Sequence, residues 1–144
     1  MKVAEAMTRG VHIVKANDTI KKAAQIMLEE DIGFLPVEEN DRLVGTVTDR
    51  DLVVRCLAKG KGASGKVRDA MTKDVKYCFE DEDMDHVITN MGDIQVRRLP
   101  VMSRDKRLVG IVTVADAAMN YSPESAGAAL QGICAPGGMH ANSA

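Results

Sequence analysis

Apolar residues recur along this chain in two rhythms. Ile20, Ala23, Ala24, Met27 and Leu28 stand at i, i+3, i+4, i+7 and i+8, the spacing of one stripe along an amphipathic helix. Met84, Val87, Ile88 and Met91 repeat the stripe. Asn17, Asp18 and Thr19 offer N-caps to the first helix, and the acidic run from Glu80 to Asp85 puts negative charge at the start of the second, where the helix dipole favours it. After each stripe the rhythm changes to short β-rich runs, Phe34 to Val37 and Leu43 to Val47, then Leu99 to Met102 and Leu108 to Val112. Polar turns at Glu39-Asn40-Asp41 and Ser103-Arg104-Asp105-Lys106 join them into hairpin-like pairs. A further helix is expected to begin near Arg50 and near Ala115.

The two halves also match residue by residue. Val3-Ala4-Glu5-Ala6-Met7-Thr8 returns as Val67-Arg68-Asp69-Ala70-Met71-Thr72, and Leu35-Pro36-Val37 as Leu99-Pro100-Val101, both 64 positions on. Leu43-Val44-Gly45-Thr46-Val47-Thr48 returns as Leu108-Val109-Gly110-Ile111-Val112-Thr113, displaced by one more residue in the turn between. Internal repetition decides the architecture. The reading is an α+β fold of two units, each ordered strand, helix, strand, strand, helix, with each too small to bury its sheet alone. Residues 1–58 form the first repeat, 59–66 a connector, 67–121 the second repeat and 122–144 a tail that is either a short helix or mobile.

Composition narrows the function. At 144 residues and 45% hydrophobic, the chain can build a packed core without cross-links. Its net charge of −2 provides no basic footprint for nucleic acid or an anionic membrane. Tyr77, Tyr121, Phe34 and Phe79 are the only aromatics, too few for a base-stacking platform. The start lacks a signal peptide and no long apolar run is present, so a soluble cytoplasmic protein is expected. Cys56, Cys78 and Cys134 lack paired spacing and read as reduced packing residues, while His12, His86 and His140 have no zinc-motif spacing. The connector, rich in Gly and Lys, reads as flexible. Within it Gly60 to Lys66 imitates a phosphate loop, but Val67 stands where a magnesium-binding Ser or Thr is required, and a helix precedes it instead of a strand.

The chemistry concentrates in a shared Gly-x-x-Thr-x-x-Asp pattern, which ends at Thr48 and Asp51 in the first half and at Thr113 and Asp116 in the second. Each copy closes a strand and opens a helix, where free backbone N–H groups and the threonine hydroxyl face outward. The carboxylate a turn inside is able to accept hydrogen bonds from a ribose diol, each worth roughly 1.5–3 kcal/mol for a charged acceptor. The same residues also serve as a purely structural helix cap. Nothing in the chain groups a nucleophile with a base. Asp49 and Asp51, the best carboxylate pair, diverge on either side of Arg50, so an enzyme is not expected.

The Ala-Met-Thr opening, the Leu-Pro-Val strand and the Leu-Val-Gly-x-Val-Thr-x-x-Asp close of both halves resemble tandem CBS domains over about residues 1–121. The chain looks like a small free-standing member of that family, down to its late Ile133-Cys134-Ala135-Pro136 segment. The resemblance implies a pseudo-two-fold pair of repeats, a homodimer, and an adenosyl ligand such as AMP, ADP or ATP in a cleft between repeats, with no cofactor required. It assigns phosphate or ribose contacts to Thr48 and Thr113, and the ribose hydroxyls to Asp51 and Asp116. Arg97 and Arg98 would reach phosphates in the second repeat, where the first carries Gly33 and Phe34, and Arg50 would supply the cation there. Backbone near Ile13 and Tyr77 would meet adenine. The implied function is nucleotide sensing, signalled by conformational or oligomeric change to an unidentified protein partner. A structural or partner-binding module with empty clefts, metal-dependent or stress-related, is the alternative.

Overall fold

The computed structural model describes residues 1–136. Its contacts group into two units, one of His12–Val75 and one of Met1–Val11 with Lys76 onward. The two are described in turn.

In the His12–Val75 unit, β1 (Val14–Lys15) pairs in parallel with β2 (Phe34–Glu39), which pairs antiparallel with β3 (Arg42–Thr48). The turn between β2 and β3 is only Asn40 and Asp41, both left-handed at φ 53° and 60°, the conformation that tight hairpins demand and that Asn and Asp tolerate. Helix α2 (Ile20–Glu30) is capped by Thr19, whose side chain accepts from Lys22 N at 3.1 Å. Ala23 and Met27 are buried on it, but Leu28 is 81% exposed. The expected stripe is therefore narrower than its spacing implied; Ile20 packs at its margin as expected, and Ile26, outside the spacing, does so too. The core is completed by Leu35, Val37, Val47, Leu52 and Cys56, and each large side chain so buried contributes roughly 1.5–3 kcal/mol.

Helix α3 (Asp49–Asp51) continues as a wider π-helical stretch, Leu52–Cys56, and a 3₁₀ turn, Leu57–Lys59. The Gly/Lys segment that follows is tied down, contrary to its composition. Gly65 O and Ala63 O accept from Ile20 N and Lys21 N, satisfying two of the first N–H groups of α2 that have no partner inside the helix.

The other unit repeats the sheet. β4 (Cys78–Phe79) is parallel to β5 (Arg98–Met102), which is antiparallel to β6 (Leu108–Thr113). The extra residue of the second half lies in the loop between β5 and β6, where Ser103 N bonds to Arg107 O. Helix α4 (Met84–Ile94) buries Met84, Val87, Ile88 and Met91, as its periodicity predicts. Helix α5 (Val114–Asn120) follows β6 directly.

The openings of the sequence repeats do not stay with the rest of their repeats. The first, including α1 (Val3–Ala6), lies with β6: Thr8 N donates to Ile111 O and Ile111 N to Thr8 O. The second lies with β3 through the same reciprocal bonds between Thr46 and Thr72. This explains the glycine of the Leu-Val-Gly motif. A Cβ at Gly110 would stand 2.6 Å from Met7 Sδ and 2.9 Å from Thr8 O, and one at Gly45 would stand 2.8 Å from Thr72 O.

The tail forms α6 (Pro123–Ile133), capped by Ser122 with Pro123 at its first position. It buries Ala126, Ala129 and Ile133 and crosses α4 where Gly92 leaves room, since a Cβ there would meet Ala129 Cα at 3.0 Å. Gln95 Nε2 donates to Gly132 O and Ala135 O and holds its end in place. Residues 137–144, with His140 among them, lie outside the described residues.

Candidate functional site

In both units the Thr–Asp pair closes on itself. Asp116 Oδ2 accepts from Thr113 N at 2.9 Å, and Thr113 Oγ1 accepts from Asp116 N at 3.0 Å. Thr48 and Asp51 make the same pair of bonds at 2.9 and 3.1 Å. These are reciprocal capping boxes, so the structural role of the motif is realised in full. A threonine hydroxyl that accepts still has its proton to donate, and each carboxylate keeps a second oxygen. In Asp51 that oxygen lies 3.7 Å from Arg55 Nε. Arg55 also donates to Ala70 O, Met71 O and Thr72 Oγ1, fixing the π-helical stretch after α3 to the Ala70–Thr72 segment.

Strand register places the cations. Arg98 stands opposite Thr113 across β5 and β6, and Phe34 holds the matching position opposite Thr48. Arg97 and Arg98, both exposed, join Thr113 in the wall of a cavity of about 660 Å³. The rest of the wall is apolar or small: Val114, Ala115 and Ala118 from α5, and Pro123, Ala126, Gly127 and Leu130 from α6. Arg97 is steered by a long contact from Nη2 to Cys134 Sγ at 3.9 Å, just past the end of α6.

Three of the expected site residues, Arg97, Arg98 and Thr113, thus share one cavity, and Asp116 is bonded to the third. Tyr77 does not line it. That residue is 48% exposed and meets Phe79 edge-on, with ring centroids 5.6 Å apart, while Arg104 lies 4.0 Å over the Phe79 ring. Ile13, half-buried, and Arg50, exposed, belong to the other unit with Thr48 and Asp51. The α6 wall was not anticipated as part of a site. Its signal was the Ser122-Pro123 start and the small residues Ala126, Gly127 and Ala129, which composition alone reads as a tail.

Among the described residues no three His, Cys, Asp or Glu side chains come together to hold a metal ion. Cys78 is buried, and burial followed by the nearby Glu82 pushes its thiol up to about 12, which leaves it no thiolate at neutral pH. No helix of the described residues is long and apolar enough to cross a membrane.

Comparison with known proteins identifies the repeats. The CBS domain family model matches residues 3–57 and 67–122, and the chain belongs to that family. Hypoxic response protein 1 of Mycobacterium tuberculosis is 37% identical over 134 residues, covering 92% of this chain and 93% of that one. A crystal structure of hypoxic response protein I with two coordinated zinc ions has a TM-score of 0.74 at 38% identity, covering 83% of this chain and 98% of that one. The CBS domain pair of protein MJ0100, in complex with 5′-methylthioadenosine and S-adenosyl-L-methionine, has a TM-score of 0.75 at 30% identity, covering 86% and 98%.

Proposed function

We propose that this CBS-domain protein is a regulatory module that binds an adenine nucleotide, AMP, ADP or ATP, at the Arg97, Arg98 and Thr113 cavity, and that it performs no chemistry on it. The cavity carries the reading. Its volume of about 660 Å³ falls in the range of roughly 300–1,000 Å³ typical of small-molecule sites, and its lining follows their pattern of apolar walls with a few converging polar groups. Arg97 and Arg98 suit phosphate oxygens, because guanidinium groups recognise them through paired donors. Thr113 and Asp116 suit the ribose, the threonine donating its hydroxyl proton and the aspartate offering its remaining oxygen. The adenosyl ligands of the MJ0100 pair support the choice of ligand class.

Signalling requires that the ligand favour one arrangement over another, since equal affinity for both shifts nothing. Helix α6 is the element placed to respond, because it walls the cavity on one side and touches Arg97 through Cys134. The readout is a change of conformation or of assembly in a cytoplasmic homodimer, passed to a protein partner.

Calorimetric titration of AMP and ATP into the protein, with Arg97→Ala and Arg98→Ala alongside, tests the proposal. Saturable binding weakened about tenfold or more by each substitution is expected from the loss of a charge-assisted bond. Absence of saturable binding by any adenine nucleotide, or binding that ignores both arginines, would turn the weight to the alternative, a partner-binding module with an empty cavity.

A further inference from the structure

Helices α2 and α4 hold the same place in their units. Each runs 11 residues, Ile20–Glu30 and Met84–Ile94, and each ends on a left-handed residue, Asp31 at φ 53° and Gln95 at φ 61°. Leu28 is therefore the counterpart of Gly92, and Ala24 of Ile88. The helical segments after β3 and β6 correspond as well, because Thr48 and Thr113 cap them alike, and this pairs Val53 with Ala118.

In one unit α6 covers this face. A Cβ on Gly92 would stand 3.0 Å from Ala129 Cα, and one on Gly132 would stand 2.8 Å from Gly92 O. Ile88 is buried, and Ala118 lines the cavity beside Ala126, Gly127 and Leu130 of α6. The His12–Val75 unit contains no such helix. Ala24 is exposed where Ile88 is buried, and Leu28, Val53 and Leu57 are exposed with it. Three large apolar side chains left open on the face that α6 covers elsewhere mark an association surface. A helix seated as closely as α6 does not fit there. Leu28 stands where Gly92 makes the room, and it holds a crossing helix at the ordinary spacing of roughly 8–10 Å between axes.

Charge names the occupant. α2 begins with Lys21 and Lys22 and ends with Glu29 and Glu30. Lys22 is paired with Asp18 and Glu30 with His12, leaving Lys21 and Glu29, both exposed, without an ion pair among the described residues. Lys21, Gln25 and Glu29 stand four residues apart along the helix, beside Ala24 and Leu28. Two copies of α2 laid antiparallel about Gln25 bring Lys21 of each against Glu29 of the other, whereas a parallel pair sets like charge against like. A self-complementary patch of this kind is what a two-fold axis requires.

We infer that the α2 face of the His12–Val75 unit, with Leu28, Val53 and Leu57, is where two copies of this chain pair about a two-fold axis, and that α6 withdraws the matching face of the other unit from assembly. The inference gives a surface to the homodimer of the preceding proposal. It is read without ligand, so it stands or falls apart from nucleotide binding.

Sedimentation equilibrium of the full, ligand-free chain tests it, and a dimer is the expected result. Leu28→Arg and Val53→Arg should each raise the dimer dissociation constant about thirtyfold or more, while Met119→Arg, at a site equally exposed on the other unit, leaves it unchanged. Lys21→Glu and Glu29→Lys should each weaken the dimer about tenfold, and the double variant should recover wild-type affinity. Urea midpoints near wild type for these surface variants show that the fold is kept. A chain that stays monomeric to about 1 mM overturns the inference and leaves the face to a different protein. A dimer insensitive to both Leu28→Arg and Val53→Arg, or one dissolved by Met119→Arg, overturns it too. Charge reversals that weaken the dimer without mutual rescue overturn the antiparallel pairing and the inference with it.

Discussion

Substitutions at Asp116 separate what the Thr–Asp motif does for the fold from what it does for a ligand. Asp116→Ala removes the acceptor of Thr113 N, a bond of 2.9 Å at a half-buried corner, and leaves only Thr113 Oγ1 to cap α5 at 3.0 Å. Loss of one arm of a capping box with a charged acceptor costs about 1–2 kcal/mol. For a chain of this size that corresponds to a fall in melting temperature of roughly 3–8 °C. Asp116→Asn keeps an oxygen in the same place, so its cost should stay below about 0.5 kcal/mol, apart from the charge. The amide has no second acceptor oxygen to offer a ribose diol, and AMP affinity should fall about tenfold in the Asn variant despite its near-native stability. Urea unfolding of the ligand-free protein gives the first quantity and calorimetry the second. The reasoning is refuted if the Ala variant unfolds at the wild-type midpoint, or if the Asn variant is as unstable as the Ala variant.

Gly110→Ala and Gly45→Ala should each destabilise the protein by about 1–3 kcal/mol through overpacking, because the added methyl meets Met7 and Thr8 in one case and Met71 and Thr72 in the other; urea midpoints within error of wild type would contradict the packing of the Met-Thr openings. At pH 8.5 the exposed Cys134 should be alkylated by iodoacetamide while Cys78, buried with its thiol near 12, stays unmodified in the native protein, and equal labelling rates would count against the buried site. Because that raised value favours the protonated thiol of the folded state, its contribution to stability is complete below the ordinary thiol range and disappears as pH rises toward 12. Asp81, held below the usual carboxylate range mainly by its hydrogen bond from Arg104, should titrate upward toward that range in Arg104→Ala when followed by NMR. Its stabilising effect is present above the ordinary carboxylate value and is lost as pH falls through the lowered one.

Several of these features were readable before any coordinates. The 64-residue spacing of the Met-Thr and Leu-Pro-Val segments, and the 65-residue spacing of Leu-Val-Gly, implied duplicated sheets, and the single extra residue in the second turn lies between Met102 and Leu108 as expected. The Thr–Asp corners also stood out, because a cap needs few residue types at fixed spacing. What escaped depends on contacts distant in sequence. Nothing local in Val3 to Thr8 says that it will bond to Ile111 and leave its own repeat. Leu28 fits a helical stripe by spacing, yet it is 81% exposed while Ile26, outside that spacing, packs against the core. Ala129 looks featureless until Gly92 is found against it, the close approach that seats α6 on α4, while Ala126 helps α6 wall one side of a cavity. The Gly/Lys connector looked loose because composition records flexibility of the free chain, whereas Gly65 and Ala63 offer their carbonyls to α2.

The central claim is most directly tested by backbone amide NMR during titration with AMP. Saturable shifts concentrated at Arg97, Arg98 and Thr113 through Asp116, spreading into α6, are the predicted result. A titration that leaves these amides unmoved at millimolar AMP, or moves only residues remote from the cavity, would contradict the assignment of the site.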